Sequence, residues 1–408
     1  MEGAGARLFR NPSFRALWIG QLVSIFGDRL HYLALLALVV ERARDPGNPA
    51  PELALIPVAS FLPAILFGPV VGALVDTWNI RLVLIASDFA RGCLVLLLIP
   101  TAAWGGLPAA FVVVFLLYIA NTFFLPARSA ILPDLVPKEA LVKANSLATL
   151  AGVVATIAGS FVGGLLVERM GWRWGFAIDG ATYFVSVFFL TVMRPKRHER
   201  AARPTQWSAA YRALVRDVAE GARLAVSHRA VLGSLLSLVC LWVAGGALHV
   251  AGTVLVKSRT AGFVSGMGGI LSAVGFGMVA GTLLLASAGA RLSQRLLVAL
   301  GLSGAGLMLA IFAFTPAYLA LALLALLAGF FVALLLVTTE AVVQAAIGPE
   351  ARARVFALRD FSTRFAVLGT ALLLGIALGQ GWITPPWTVA FAGAMLLAAG
   401  VSGYFLWR

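Results

Sequence analysis

Gln21, Ser24, Asp28 and His31 recur at spacings of three, four and three inside an apolar run, which sets them on one face of a helix. A carboxylate in such surroundings is costly unless it is paired or neutralised, so Asp28 is a candidate proton carrier, with His31 one turn away to share the proton. The alternative is an Asp28 that stays ionised and paired, with Arg29 or with a neighbouring helix. Two further stripes have the same character. Tyr118, Asn121 and Leu125 share one face, and Trp242, Gly246, His249 and Thr253 share another. Gln21, Ser24, Tyr118, Asn121, Trp242, His249 and Thr253 would give a few hydrogen-bonding groups to an otherwise apolar cavity, although His249 could equally be a hydrogen-bonded packing residue.

The elements that must hold these residues are membrane helices. Of the 408 residues, 61% are apolar and 12% charged, with a mean hydropathy of +0.96, which excludes a soluble domain. Apolar runs near 20 residues, the length that crosses a bilayer, fall at about 14–40, 53–75, 81–103, 107–126, 146–168 and 174–193. A second set follows at about 231–256, 264–288, 296–315, 317–339, 362–380 and 386–407. Between them, residues 194–229 carry nine Arg or Lys against three acids and no spanning run. The expected division is therefore a six-helix bundle over 1–193, a solvated, membrane-skimming basic linker over 194–229, and a second six-helix bundle over 230–408. Most of the 31 Lys and Arg lie at the inner ends, which places both termini and the linker in the cytoplasm and lets the linker touch anionic lipid. The net charge of +14 thus serves topology rather than nucleic acid. The first apolar run lacks a cleavage pattern and reads as a retained helix. Cys93 and Cys240 stand far apart without ligand spacing, so neither a disulfide nor a metal site is expected.

The two sets repeat one another. The segment after the fourth helix, Val136-Pro137-Lys138-Glu139, parallels Gly348-Pro349-Glu350-Ala351 after the tenth, and the Gly72 loop parallels the Gly281 loop, both at offsets of about 210 residues. The loop Gly72-Ala-Leu74-Val-Asp76-Thr-Trp-Asn-Ile-Arg81 resembles the signature loop of the major facilitator superfamily, with Thr77 and Asn79 departing from it. In that loop Gly72 would permit close helix approach and Asp76 would accept hydrogen bonds at a helix start. The segment from Phe124 through Pro126, Arg128, Pro133, Asp134 and Glu139 to Asn145 resembles the branch of that family holding macrolide-efflux proteins and enterobactin exporters. The opening Asn11-Pro-Ser-Phe14-Arg15-Ala-Leu-Trp18-Ile-Gly20-Gln21 resembles the same branch. Gly159, Ser160, Gly163 and Gly164 resemble an exporter's helix-five motif, with Ser160 where the motif has Pro.

The resemblance implies an all-α integral membrane protein of 12 transmembrane helices in two pseudo-symmetric six-helix bundles, the major facilitator fold. No phosphate-cradling Gly-x-x-x-x-Gly-Lys-Ser/Thr loop is present, so an ion gradient or the substrate's own gradient rather than ATP is expected to drive transport, and no cofactor and no enzyme activity are expected. Asp88 and Arg91, three apart, should neutralise each other. Asp179 and Glu168 show no partner in the sequence and are given no role. Arg128 and Glu340 occupy repeat-equivalent inner ends with opposite charge. With Gly72, Asp76, Arg81, Arg359, Asp360 and Arg364 they are candidates for a cytoplasmic gate, or they merely snorkel to water and headgroups. The reading is a monomeric exporter in a bacterial inner membrane, moving bulky amphipathic compounds such as drugs, macrolides or siderophores against protons. Its partners are that small molecule, protons and membrane lipids, with no nucleic acid. A lipid or lysolipid mover, or a non-transporting sensor or assembly protein, are the alternatives.

Overall fold

The computed structural model describes residues 8–75, 77–194, 207–288 and 292–406, so Asp76 and the basic residues 196–203 of the linker lie outside it. Among the described residues, eleven helices are long and apolar enough to cross a membrane. One of them, Ile80–Leu135, has 56 residues and turns at Gly106, whose φ of 70° strains any side-chain-bearing residue. It is thus two helices, α3 (80–105) and α4 (107–135), and the expected twelve spans are all present. The others are α1 (Pro12–Arg42), α2 (Leu55–Val75), α5 (Leu141–Met170), α6 (Trp172–Val192) and α7 (Arg229–Arg259). They continue with α8 (Phe263–Ala288), α9 (Gln294–Phe312), α10 (Tyr318–Ala346), α11 (Pro349–Gly379) and α12 (Pro385–Leu406). Local chemistry sets several starts: the Asn79 side chain accepts from the Leu82 N–H at α3, and Ser293 does the same for Leu296 at α9.

Two helix ends depart from the expected boundaries. Helix α4 continues nine residues past the expected 126, and α11 starts thirteen residues before the expected 362. Hydropathy reports where oil ends, whereas a hydrogen-bonded helix can run on into water. The surface follows the same logic, with Phe89, Trp104, Val112 and Phe188 exposed as lipid-facing residues require.

The chain packs as two compact units. The first comprises residues 1–42 and 59–211; in it α1 lies against α5 and α6, and α6 against α3. The second comprises residues 43–58 and 212–408; in it α8 packs on α10, α9 on α10 and α12, and α7 on α11. The second unit therefore includes the short turn Ala50–Leu53 and the first residues of α2, packed on Gly375 and Gly379 of α11. A connector helix, Trp207–Ser227, is more firmly held than a skimming segment need be. Its Glu220 pairs with Arg354 at 2.7 Å, and Ala225 joins a small core with Val231, Leu235, Val343 and Val355.

Candidate functional site

In the first unit, α1 meets α6 along a row of small residues that includes Gly20, Ser24 and Gly27. A Cβ at Gly27 would fall on the Thr182 hydroxyl and the Asp179 carboxylate, so this position must be glycine for the two helices to touch. The close approach brings polar groups of α1 and α6 together in the bundle interior. Tyr183 donates its hydroxyl hydrogen to Asp28 Oδ1 at 2.5 Å. His31 Nδ1 stands 3.4 Å from Asp179 Oδ2, and both residues are buried. Thr182 donates to the Asp179 backbone carbonyl at 2.7 Å.

A second layer of the same network comes from α3 and α4. Arg91 pairs with Asp88, one turn earlier on α3, and both are almost wholly shielded from solvent. Ser186 of α6 donates to Asp88 Oδ2 at 2.6 Å, and Arg91 donates to Asn121 Oδ1 at 3.2 Å. The guanidinium lies over the rings of Phe124 and Tyr183, at 4.1 and 4.5 Å, so aromatic faces complete its surroundings. Tyr118 is hydrogen-bonded to Ser60.

Electrostatically the three carboxylates are not alike. Asp88 has a fixed cation in Arg91. Asp28 is held by a neutral phenol, and Asp179 faces an imidazole whose charge depends on a proton. Neither of these two is hydrogen-bonded to a guanidinium among the described residues. Both ring nitrogens of His31, Oδ2 of Asp179 and Nε of Arg29 are buried without an in-line hydrogen bond among the described residues. Buried polar atoms left in this state are uncommon and call for a reason. Chemically, Asp28, His31 and Asp179 form a place where a proton can be held or passed between two helices.

Asp28 and His31 thus lie together as their spacing predicts, and they face α6. Asp179 corrects the sequence reading, which found it no partner: it faces His31, and it lies one helical turn from Tyr183. An acid inside an apolar span was the available signal, since such residues are functional candidates by default. Asn121 joins the network through Arg91 and Tyr118 bonds Ser60 instead, while Gln21 lies nearer the N-terminal end of α1, on a separate cleft.

The remaining candidates are dispersed. Gly159 and Gly163 of α5 let that helix pack on Arg29 and Leu30 of α1, and Gly164 is buried beside them. Arg81 donates to the carbonyls of Leu190 and Thr191, where a cation complements the end of α6. A Cβ at Gly72 would meet nothing within 4 Å, so the close approach expected there is not made among the described residues. In the second unit, Arg359 pairs with Glu340 at 2.5 Å and with Asp360 at 2.8 Å, on the wall of a 580 Å³ cavity that also takes in Trp242 and Gln344. Arg364 makes no hydrogen bond among the described residues.

The α7 stripe is divided by a π-helical turn at Leu248–Gly252, which shifts the residues after it around the axis. Trp242 lines the cavity, whereas His249 Nε2 lies 3.1 Å from the carbonyl oxygen of Leu53. Thr253 donates to the His249 carbonyl.

Comparison with known proteins places this architecture. Residues 17–276 match the family model described as Major Facilitator Superfamily. An uncharacterized MFS-type transporter of Mycobacterium tuberculosis is 31% identical over 277 residues, 63% of this chain and 60% of that protein. Macrolide efflux protein A of Streptococcus pyogenes is 27% identical over 190 residues, 46% of each chain. These matches therefore span well under two thirds of the relatives' own lengths. A proposed bacilysin exporter of Bacillus subtilis, BacE, is 26% identical over 90% of this chain and 88% of its own. Among solved structures, a mutant of the nucleoside transporter NupG superposes with a TM-score of 0.76 at 13% identity, covering 97% of this chain and 98% of that one. The peptide transporter POT reaches 0.73 at 12%, covering 95% and 94%. At such identities the structures speak for the fold alone.

Proposed function

The chain belongs to the Major Facilitator Superfamily, a multi-pass membrane transporter and not an enzyme, and from that premise we propose that it exports bulky amphipathic compounds in exchange for protons. It works as a monomer in a bacterial inner membrane with both termini in the cytoplasm, and it draws on the proton gradient without a cofactor. Drugs, macrolides or siderophores are the substrate class, a choice supported by the likeness to macrolide efflux protein A and to the proposed bacilysin exporter.

The observation that carries the exchange is the Asp28–Tyr183 and His31–Asp179 arrangement, two carboxylates without a fixed hydrogen-bonded cation joined across one helix contact. A proton entering from outside neutralises this layer, and its release to the cytoplasm restores the charge. Coupling to substrate then runs through the equilibrium between inward-open and outward-open states, which proton and substrate bias in opposite senses. The groups on Glu340, Arg359 and Asp360 would take part in closing the cytoplasmic side.

Reconstitution in liposomes tests this. Dyes, macrolides and catecholate siderophores should each be scored for movement of lumenal protons, with Asp28→Asn and Asp179→Asn alongside. Substrate-dependent proton flux lost in both variants is expected. Flux unchanged in both would remove the cluster from the coupling step. No flux with any compound, together with scrambling of labelled lipid, would replace the reading with a lipid mover.

A further inference from the structure

We infer that the first unit holds a separate binding site for an anionic head group, a carboxylate or phosphate attached to an apolar body, centred on Arg128. The inference rests on the transport reading and narrows it, because this site would serve the acidic amphiphiles of that substrate class and not the basic macrolides. A cleft of about 220 Å³ opens between the inner parts of α1, α4 and α5. Arg128 lines it and makes no hydrogen bond or ion pair among the described residues, while no acid lies on its described walls. Gln21 lines it too; the residue is 95% buried, yet its amide makes no hydrogen bond among the described residues. An almost wholly buried residue whose amide makes no hydrogen bond, beside a guanidinium that makes none, both among the described residues, offers donors to a ligand with acceptor oxygens.

The rest of the wall sorts ligands further. Thr149 and the Asn145 side chain, whose Nδ2 is already given to the Leu141 carbonyl, lie at the exposed mouth. Phe14, Leu17 and Trp18 supply apolar surface, and the indole N–H of Trp18 is already given to the Leu147 carbonyl. The head group would meet a guanidinium fork that suits two oxygens at once, and the apolar body would lie on the aromatic side. Arg128 stands seven residues along α4 from Asn121, about 10 Å at 1.5 Å per residue, so the anion and the proton occupy different layers of the bundle.

Two sources share this chemistry: a free amphiphilic acid, and an anionic phospholipid of the inner leaflet. The test is calorimetric titration of hexyl phosphate and hexanoate into the full-length protein in phosphatidylcholine nanodiscs, with empty nanodiscs as the blank. No gradient is present, so the result stands apart from whether protons are exchanged. Saturable binding is expected, weakened about tenfold or more in Arg128→Ala and less in Arg128→Lys, which keeps the charge but loses the fork. Gln21→Leu should weaken it severalfold. Hexyltrimethylammonium should neither bind nor compete. Equal binding by wild type and Arg128→Ala, a failure to bind at all, or competition by the cation would each overturn the site, with monodispersity of Arg128→Lys as the check on folding. Repeating the titration with phosphatidylglycerol in the discs separates the sources: competitive loss of hexyl phosphate binding identifies the lipid head as occupant, and unchanged binding identifies the free acid.

Discussion

Asp88 and Arg91 occupy the same polar network as Asp28 and Asp179, and their substitution should do something different. A fully buried ion pair broken from one side leaves an uncompensated charge, at a cost of about 3–5 kcal/mol. Arg91→Leu should therefore lower the temperature at which the purified protein loses monodispersity by many degrees, and Asp88→Asn with Arg91→Leu together should recover part of the loss. Asp28→Asn keeps the acceptor oxygen that Tyr183 uses, so it should melt close to wild type while transport fails. If Asp28→Asn proved as unstable as Arg91→Leu, the residue would be a structural partner and not a proton site. The sequence was informative up to this boundary. Spacing sets Asp28 and His31 on one face and pairs Asp88 with Arg91, because these are properties of a single helix. Tyr183 and Asp179 lie on a helix about 150 residues away, and periodicity cannot say which two helices touch.

Helices α2 and α7 show what a single proline demands of its surroundings. Pro57 has no N–H, so in the i to i−4 pattern the Leu53 carbonyl receives nothing from it. His249 Nε2 stands 3.1 Å from that oxygen. A carbonyl only accepts, so the ring proton is on Nε2, and His249 supplies the hydrogen bond that Pro57 cannot. His249→Leu should cost about 1–3 kcal/mol, the penalty for a buried carbonyl left unsatisfied. Pro57→Ala restores an N–H to the right place, so His249→Leu should be much milder in that background. Thermal melting of the four proteins of this cycle measures the coupling. Additive effects would mean that the imidazole acts through packing alone. A hydrogen-bonded packing role was one of the two sequence readings of His249, but its partner was not legible, since the π-helical turn at Leu248–Gly252 alters the face on which His249 lies, and no hydropathy pattern marks such a turn. The twelve spans, by contrast, were readable in order, because each is an apolar run of the length oil requires.

At the scale of the whole molecule, chain order and packing divide the protein differently. The sequence suggests a cut at the basic linker, where hydropathy falls. Packing assigns residues 43–58, far ahead of that linker, to the second unit. There Asn48 donates to the Leu378 carbonyl at 2.8 Å, Lys257 donates to that of Pro46, and Ala54 and Pro51 rest on Gly375 and Gly379, where a larger residue would not fit. A fragment beginning at residue 207 would expose those glycines and leave these donors and acceptors to lipid or water, where an unsatisfied group in hydrocarbon costs several kcal/mol. Expressed alone it should be degraded or purify as aggregate. Expressed with a separate fragment 1–206 it should accumulate, and a tag on either piece should retrieve the other. Gly375→Leu should abolish that retrieval, because the glycine meets Ala50, Pro51 and Ala54 of the first fragment, while leaving the yield of the first fragment expressed alone unchanged, because the substitution is not in it. A monodisperse second fragment in the absence of the first would mean that residues 43–58 add little to its stability, and that the cut at the linker describes the folding units after all.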